Sequence, residues 1–163
     1  MKAVKVIVDS TIFFFCFRSD REDIRPGNMQ RLLNHLSGAP QISLLVPISV
    51  LGESVIECLR GEKESADHDL DELHNLIDYW GSLDLSFLYP SALVAEACYR
   101  LVEKYKNGEQ IDYRLTDTDL VHLGYALAYN VDYFLTTDTK LKYYVPEKSN
   151  LQIIDHVAAK EIF

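Results

Sequence analysis

The chain has 163 residues, 48% of them hydrophobic and 25% charged, which suits a folded domain with a real core and excludes a disordered chain. Its 16 basic side chains against 25 acidic ones leave a formal charge of −9, so a polyanion would not be drawn in by the global field and would have to be held by local basic patches or bound cations. Cys16, Cys58 and Cys98 are far apart, without CxxC or zinc-ligand spacing, and read as buried reduced thiols. The apolar run at the start meets Asp9 too soon for a signal sequence or a membrane span, so the expected compartment is the cytoplasm.

In chain order, Val4 to Val8 is a β-branched apolar run that suits a strand buried on both faces. Asp9-Ser10-Thr11 supplies helix caps for Ile12 to Phe17. Arg18 to Asn28, with Pro26-Gly27, reads as a loop, and a helix is expected from Met29 to about Ser37. Ile42 to Val46 is the second strand, and Pro47 opens a helix reaching about Arg60. An acidic amphipathic helix is expected from Glu62 to Trp80, stopped by Gly81, and then a short strand within Leu83 to Leu88. Pro90 opens a helix that ends at Asn107-Gly108. Thr116 or Thr118 caps a mostly apolar helix to Tyr129, after which Asp132 to Leu135 and Leu151 to Ile154 are strands. Strands alternating with helices predict an α/β fold: one three-layer domain over residues 1–163, with a mostly parallel central sheet flanked by helices.

In such a fold, ligands bind beyond the carboxyl ends of the strands, so the acids that follow strands or open buried helices are the candidates. Asp9 and Asp138 each follow a strand, Glu53 lies on the helix after the second strand, and Asp117 and Asp119 open the apolar helix. If these converge, their repulsion calls for a counter-cation, and hard oxygen ligands suit Mg²⁺ or Mn²⁺. Each acid alone has a plainer reading: Asp9 and Asp138 as caps, Glu53 as a solvated helix residue, and Asp119 as the far end of a capping box with Thr116. The acids and histidines of Asp67 to His74 read as a solvated helix face, and His122 as a packed, hydrogen-bonded histidine on a buried helix.

Across nearly the whole chain the pattern resembles the PIN-domain family. The matching segments are Val6-Ile7-Val8-Asp9-Ser10-Thr11, Pro47-Ile48-Ser49-Val50-Leu51-Gly52-Glu53, Thr118-Asp119-Leu120-Val121-His122-Leu123-Gly124-Tyr125-Ala126-Leu127 and Asp132-Tyr133-Phe134-Leu135-Thr136-Thr137-Asp138. The chain departs from the family at Gly124, where alanine is usual, and at Ser10-Thr11, where Thr-Asn often follows the first Asp. The resemblance implies a Mg²⁺- or Mn²⁺-dependent ribonuclease with Asp9, Glu53, Asp119 and Asp138 as catalytic and metal-binding acids and Asp117 as a possible further ligand. Ser10 and Thr136 would orient ligands or the scissile phosphate, and Arg18 and Lys140 would contact substrate, with Arg21, Arg25, Arg31 and Lys142 as further basic candidates. The aromatic run Phe13 to Phe17 has more surface than one helix face hides, which suggests a homodimer seam or a partner groove. The family adds the expectation of an antitoxin protein as partner. Two alternatives stay open: a non-catalytic PIN-like scaffold that binds RNA or protein, and a haloacid-dehalogenase-type phosphohydrolase using Asp9. The latter lacks a second Asp two residues on, where Thr11 stands.

Overall fold

The computed structural model describes residues 3–17, 26–60, 70–107 and 115–163. Its centre is an all-parallel five-stranded sheet, in the order β3-β2-β1-β4-β5, formed by β1 (Val4–Val8), β2 (Ile42–Pro47), β3 (Ser86–Leu88), β4 (Tyr133–Leu135) and β5 (Gln152–Ile154). The chain starts in the middle, builds outward to β3, and returns to the other side of β1 to add β4 and β5. The order therefore reverses at β1, and the crevice beyond the ends of β1 and β4 is where such sheets place ligands.

The helices are α1 (Ser10–Phe14), α2 (Pro26–Gly38), α3 (Ile48–Arg60), α4 (Leu70–Ser82), α5 (Ala92–Asn107), α6 (Asp117–Ala128) and α7 (His156–Ile162). Alternation along the strands sorts the core into two layers. Val6, Val8, Leu44 and Val46 face a cluster built with Ile12, Phe13, Leu33, Val50 and Leu76, on the side of α1 to α4 and α7. Ile7, Leu45 and Phe134 face the opposite cluster, with Leu101, Leu123, Tyr125 and Ala126 from α5 and α6. Strands buried on both faces explain why β1 and β2 read as unbroken apolar runs.

Several element limits differ from the sequence reading. The helix after Asp9 stops at Phe14, and Phe15 to Phe17 turn away. Helix α2 begins at Pro26, three residues early, because proline fits a first turn whose N–H groups have no partners. Gly81 lies inside α4, which ends at Ser82; the start expected at Glu62 lies outside the described residues. Helix α7 was not foreseen; Asp155 caps it by accepting from the Val157 and Ala158 N–H groups. Asn130, at φ 48°, ends α6 in the left-handed conformation and sends the chain into β4.

The aromatic run is partly buried against α4. Phe13 is buried edge-on against Trp80, and Phe17 packs edge-on against Tyr79. Phe14 and Phe15, between them, stay half-buried. The exposed large apolar residues lie elsewhere, among them Tyr89, Leu93 and Tyr99. No helix among the described residues is long and apolar enough to cross a membrane.

Candidate active site

Asp9 leaves β1 at the reversal point. Its backbone N–H continues the β1–β4 ladder by donating to the Leu135 carbonyl at 3.0 Å. Its carboxylate, only 4% exposed, accepts four hydrogen bonds. Oδ1 takes the Ser10 backbone N–H at 2.9 Å and faces His122 Nδ1 at 3.1 Å. Oδ2 takes the Thr11 hydroxyl at 3.0 Å and the Thr136 hydroxyl at 2.8 Å. A carboxylate has about four lone-pair positions, so all are engaged. Burial alone would push the Asp9 carboxyl up. The hydrogen bond and charge of His122, then the Thr136 and Thr11 hydroxyls, outweigh that and hold it below the usual carboxylate range.

Thr136 is fully buried, and its oxygen also accepts the Asp138 backbone N–H at 3.0 Å. One hydroxyl therefore couples Asp9 to the loop carrying Asp138. Of the roles the resemblance offers Thr136, orienting ligands fits this geometry; a hydroxyl held between two protein groups has no path to a phosphate. Ser10 is likewise buried, and it serves Asp9 through its backbone N–H. Asp138 caps a short 3-10 helix, Thr139–Tyr144, by accepting from the Lys140 N–H at 3.0 Å.

Glu53 arrives on α3, which packs against α6. Its Oε2 is a buried oxygen without a hydrogen-bond partner, 3.9 Å from His122 Nε2, itself without one. Asp9 and Glu53 thus approach opposite edges of one imidazole. Asp119, one turn earlier on α6, is held differently: its Oδ2 accepts the Thr116 hydroxyl at 2.6 Å and the Thr116 N–H at 3.2 Å, while its N–H donates to the Thr116 hydroxyl oxygen at 3.1 Å. This is the capping box that the sequence pattern anticipated. Asp117 is exposed in the first turn of α6.

Among the basic candidates, Lys140 and Lys142 are exposed just after Asp138, and Lys142 lies over the Tyr143 ring at 5.3 Å. Arg31 lines a recess with His35, Lys160 and Phe163. Phe163 packs on Tyr133, at the entry end of β4, so Arg31 sits at the sheet edge opposite Asp9. Arg18, Arg21 and Arg25, and the run Asp67 to Asp69, lie outside the described residues. A recess of about 370 Å³ between α5 and α6, lined by Leu93, Arg100, Leu127 and Pro146 among others, contains none of the candidate acids.

Hard anionic oxygens, one of them buried and orphaned, suit a hard divalent cation in kind. Their present spacing is another matter. Among the described residues no three histidine, cysteine, aspartate or glutamate side chains are grouped so as to hold one ion. His122 is packed and hydrogen-bonded as the sequence reading has it, but its partner, Asp9, was not foreseen. The place of His122 three residues after Asp119, on the same helix face, was the available signal.

No family model matches the chain, and no curated protein does. Solved structures do. VapBC2 from Rickettsia felis, bound to a DNA fragment from its promoter, aligns with a TM-score of 0.69 at 16% identity, covering 93% of this chain and 98% of that one. VapC20 from Mycobacterium tuberculosis, described as a sarcin-ricin loop cleaving toxin, aligns with a TM-score of 0.59 at 12% identity over 85% of this chain and 93% of that one. VapBC-5 from the same organism, of the VapBC family of toxin-antitoxin systems, gives 0.58 at 14% identity over 93% and 98%. At such identities the likeness establishes architecture. The chain has the PIN-like fold of the VapC toxins.

Proposed function

We propose that the chain is a divalent-metal-dependent ribonuclease, acting as the toxin of a toxin-antitoxin pair. The observation that carries the reading is Asp9: a buried carboxylate at the reversal point of a PIN-like sheet, kept ionised by three side chains. An ionised acid costs too much to bury without a purpose for its charge. Asp9, on giving up one of its four donors, would hold Mg²⁺ or Mn²⁺ with Glu53 and Asp138, with Asp119 joining once released from Thr116 and Asp117 beside it. A cation bound there would supply a water acidified toward hydroxide and positive charge for the phosphate. Around it, His122, Thr11 and Thr136 orient Asp9, Thr136 ties Asp138 to the same frame, and Lys140 offers charge to the RNA backbone at the rim. VapC20's description as a loop-cleaving toxin supports RNA as substrate, and the VapBC structures support a protein antitoxin as partner.

The test is cleavage of an RNA oligonucleotide with Mn²⁺ by the wild-type chain and by Asp9→Asn. Cleavage by the wild type that falls at least 100-fold in the variant is expected, on the order of an essential metal-site residue; undiminished cleavage by Asp9→Asn defeats the assignment. A second reading, a non-catalytic RNA- or protein-binding scaffold, is favoured by one observation, the engagement of Asp119 with Thr116. RNA binding without cleavage at any Mn²⁺ concentration would favour it.

A further inference from the structure

The 3-10 helix Thr139–Tyr144, capped by Asp138, turns a different chemistry to each side. Side chains three residues apart eclipse one another in a 3-10 helix. Leu141 and Tyr144 share one face and are buried in the core cluster with α5 and α6. Lys140 and Tyr143 share another, and both are exposed. The Lys142 ammonium lies 5.3 Å from the centre of the Tyr143 ring, yet 58% of that tyrosine stays open to solvent. The segment is also fixed to the candidate acids. Asp138 Oδ1 accepts the Lys140 N–H, the Thr136 hydroxyl oxygen accepts the Asp138 N–H, and the same hydroxyl donates to Asp9. At a rise of about 2 Å per residue, Tyr143 lies roughly 10 Å from Asp138 along this helix.

A single exposed tyrosine is ordinary on a protein surface, so its setting decides. Tyr99 is exposed as well, but Glu96 and Glu103 flank it on α5 and its hydroxyl donates to Glu103, so a phosphate would be repelled there. Tyr143 has lysines at positions 140, 142 and 148 around it, against Asp138 and Glu147, in a chain whose net charge is −9. A flat ring beside ammonium groups matches what a single nucleic-acid strand presents: a π-face on every base and a negative phosphate between bases. We propose that Tyr143 is a platform on which a base of the substrate RNA stacks, with Lys142 beside it drawing a neighbouring phosphate. The proposal rests on the nuclease reading above and adds a substrate contact to it. Stacking is indifferent to base identity, and the bases of a duplex are already stacked on one another. The contact therefore selects single-stranded segments over helices, whatever their sequence. Tyr143 is a positioning residue: it holds the strand and does not reach the reacting atoms.

The probe is a set of single-stranded oligoribonucleotides with 2-aminopurine, a fluorescent base quenched by stacking, at successive positions. Binding is measured in EDTA at low salt for the full chain and for Tyr143→Ala, Tyr143→Phe and Lys142→Ala, with cleavage in Mn²⁺ measured alongside. Y143A is expected to bind about 5- to 150-fold more weakly, the usual effect of removing one aromatic stacking partner, and to lose the quench. Y143F keeps the ring and should bind within about twofold of the wild type. K142A should lower the slope of affinity against salt by about 0.7, the share of one phosphate contact, whereas Y143A leaves that slope unchanged. Duplex RNA should not distinguish Y143A from the wild type. A Y143A chain that melts and binds the single strand like the wild type overturns the proposal, and cleavage by both then leaves the nuclease reading intact. A wild type that binds through Tyr143 but never cleaves removes the nuclease reading and upholds the contact. A wild type that does not bind the single strand overturns the proposal. Should Y143A not fold, the wild type decides: no quench at any position under saturation overturns the proposal.

Discussion

Asp9 and Asp119 carry the same carboxylate and are held in opposite ways. Asp9 is buried and engaged by donors from β4, from α6 and from its own loop. Asp119 is half-buried and meets a single neighbour, Thr116, three residues away. The first arrangement exists only after the sheet and α6 have come together; the second forms as soon as one helical turn does. The difference indicates which acid is fixed and which is free to change partners. Asp9 is held as an anion by its donors, whereas Asp119 is committed to a local cap that a cation would have to displace.

The comparison breaks most directly at Asp9. Replacement by alanine leaves His122 Nδ1, the Thr136 and Thr11 hydroxyls and the Ser10 N–H facing an empty buried space. A loss of about 3–5 kcal/mol is expected in denaturant unfolding, as for breaking a buried charged pair from one side. Asp9→Asn should cost less, but more than any change at Asp119. A D9A chain as stable as the wild type would erase the distinction. The pH dependence has a definite sign. Because Asp9 is held below the usual carboxylate range, its contribution is complete above the unfolded pKa of about 3.9. It is lost as pH falls through the lower folded value. The stability gap between the wild type and D9N should therefore hold constant through neutral pH and shrink only under strong acid, measured by melting at several pH values.

A smaller effect is expected where α6 meets α5. A Cβ at Gly124 would come within 2.3 Å of Cys98 Sγ and 3.4 Å of the Val94 carbonyl oxygen. An alanine at this place would force the Cys98 sulfur to shift. Gly124→Ala should cost about 1–3 kcal/mol through overpacking. Cys98→Ala in the same chain should recover most of it, a coupling that a double-mutant cycle reads directly. The cycle sharpens the contrast, because His122 is two residues from Gly124 and near the strained contact, while Asp119 lies a turn beyond it. Additive effects of G124A and C98A would mean that the two helices do not press on each other here.

What the sequence made legible divides along the same line between local and distant. Continuous apolar runs located β1 and β2, because burial on both faces leaves no place for polar residues. The Thr116–Asp119 box was readable because both partners lie within four residues. Helix α7 was missed since seven residues carry too little periodicity, and Gly81 was taken as a stop although α4 continues past it. His122 reads as a packed, hydrogen-bonded histidine, but its partner, Asp9, is 113 positions away and no spacing rule spans that. The acids were legible as an order along the chain, whereas the donors around Asp9 and the turn of Asp119 toward Thr116 are products of three-dimensional packing.

The weakest perturbation concerns the cap itself. Thr116 and Asp119 each satisfy the other's backbone N–H, and their side chains are bonded to one another. Removing either should cost about 1 kcal/mol, the usual worth of a helix cap, and lower the melting temperature by about 2–4 °C for a chain of this size. Because the two residues form one reciprocal unit, the double variant Thr116→Ala with Asp119→Ala should lose clearly less than twice the single loss. Thr116→Ala has a second consequence that Asp119→Ala does not share: it releases a carboxylate beside the site. If that carboxylate serves as a ligand in the proposed nuclease site, Mn²⁺ should raise the melting temperature more in T116A than in the wild type, by mass action on the folded state. An equal Mn²⁺ response in both chains would mean that Asp119 remains a cap even when its partner is gone, and that the cation site is built without it.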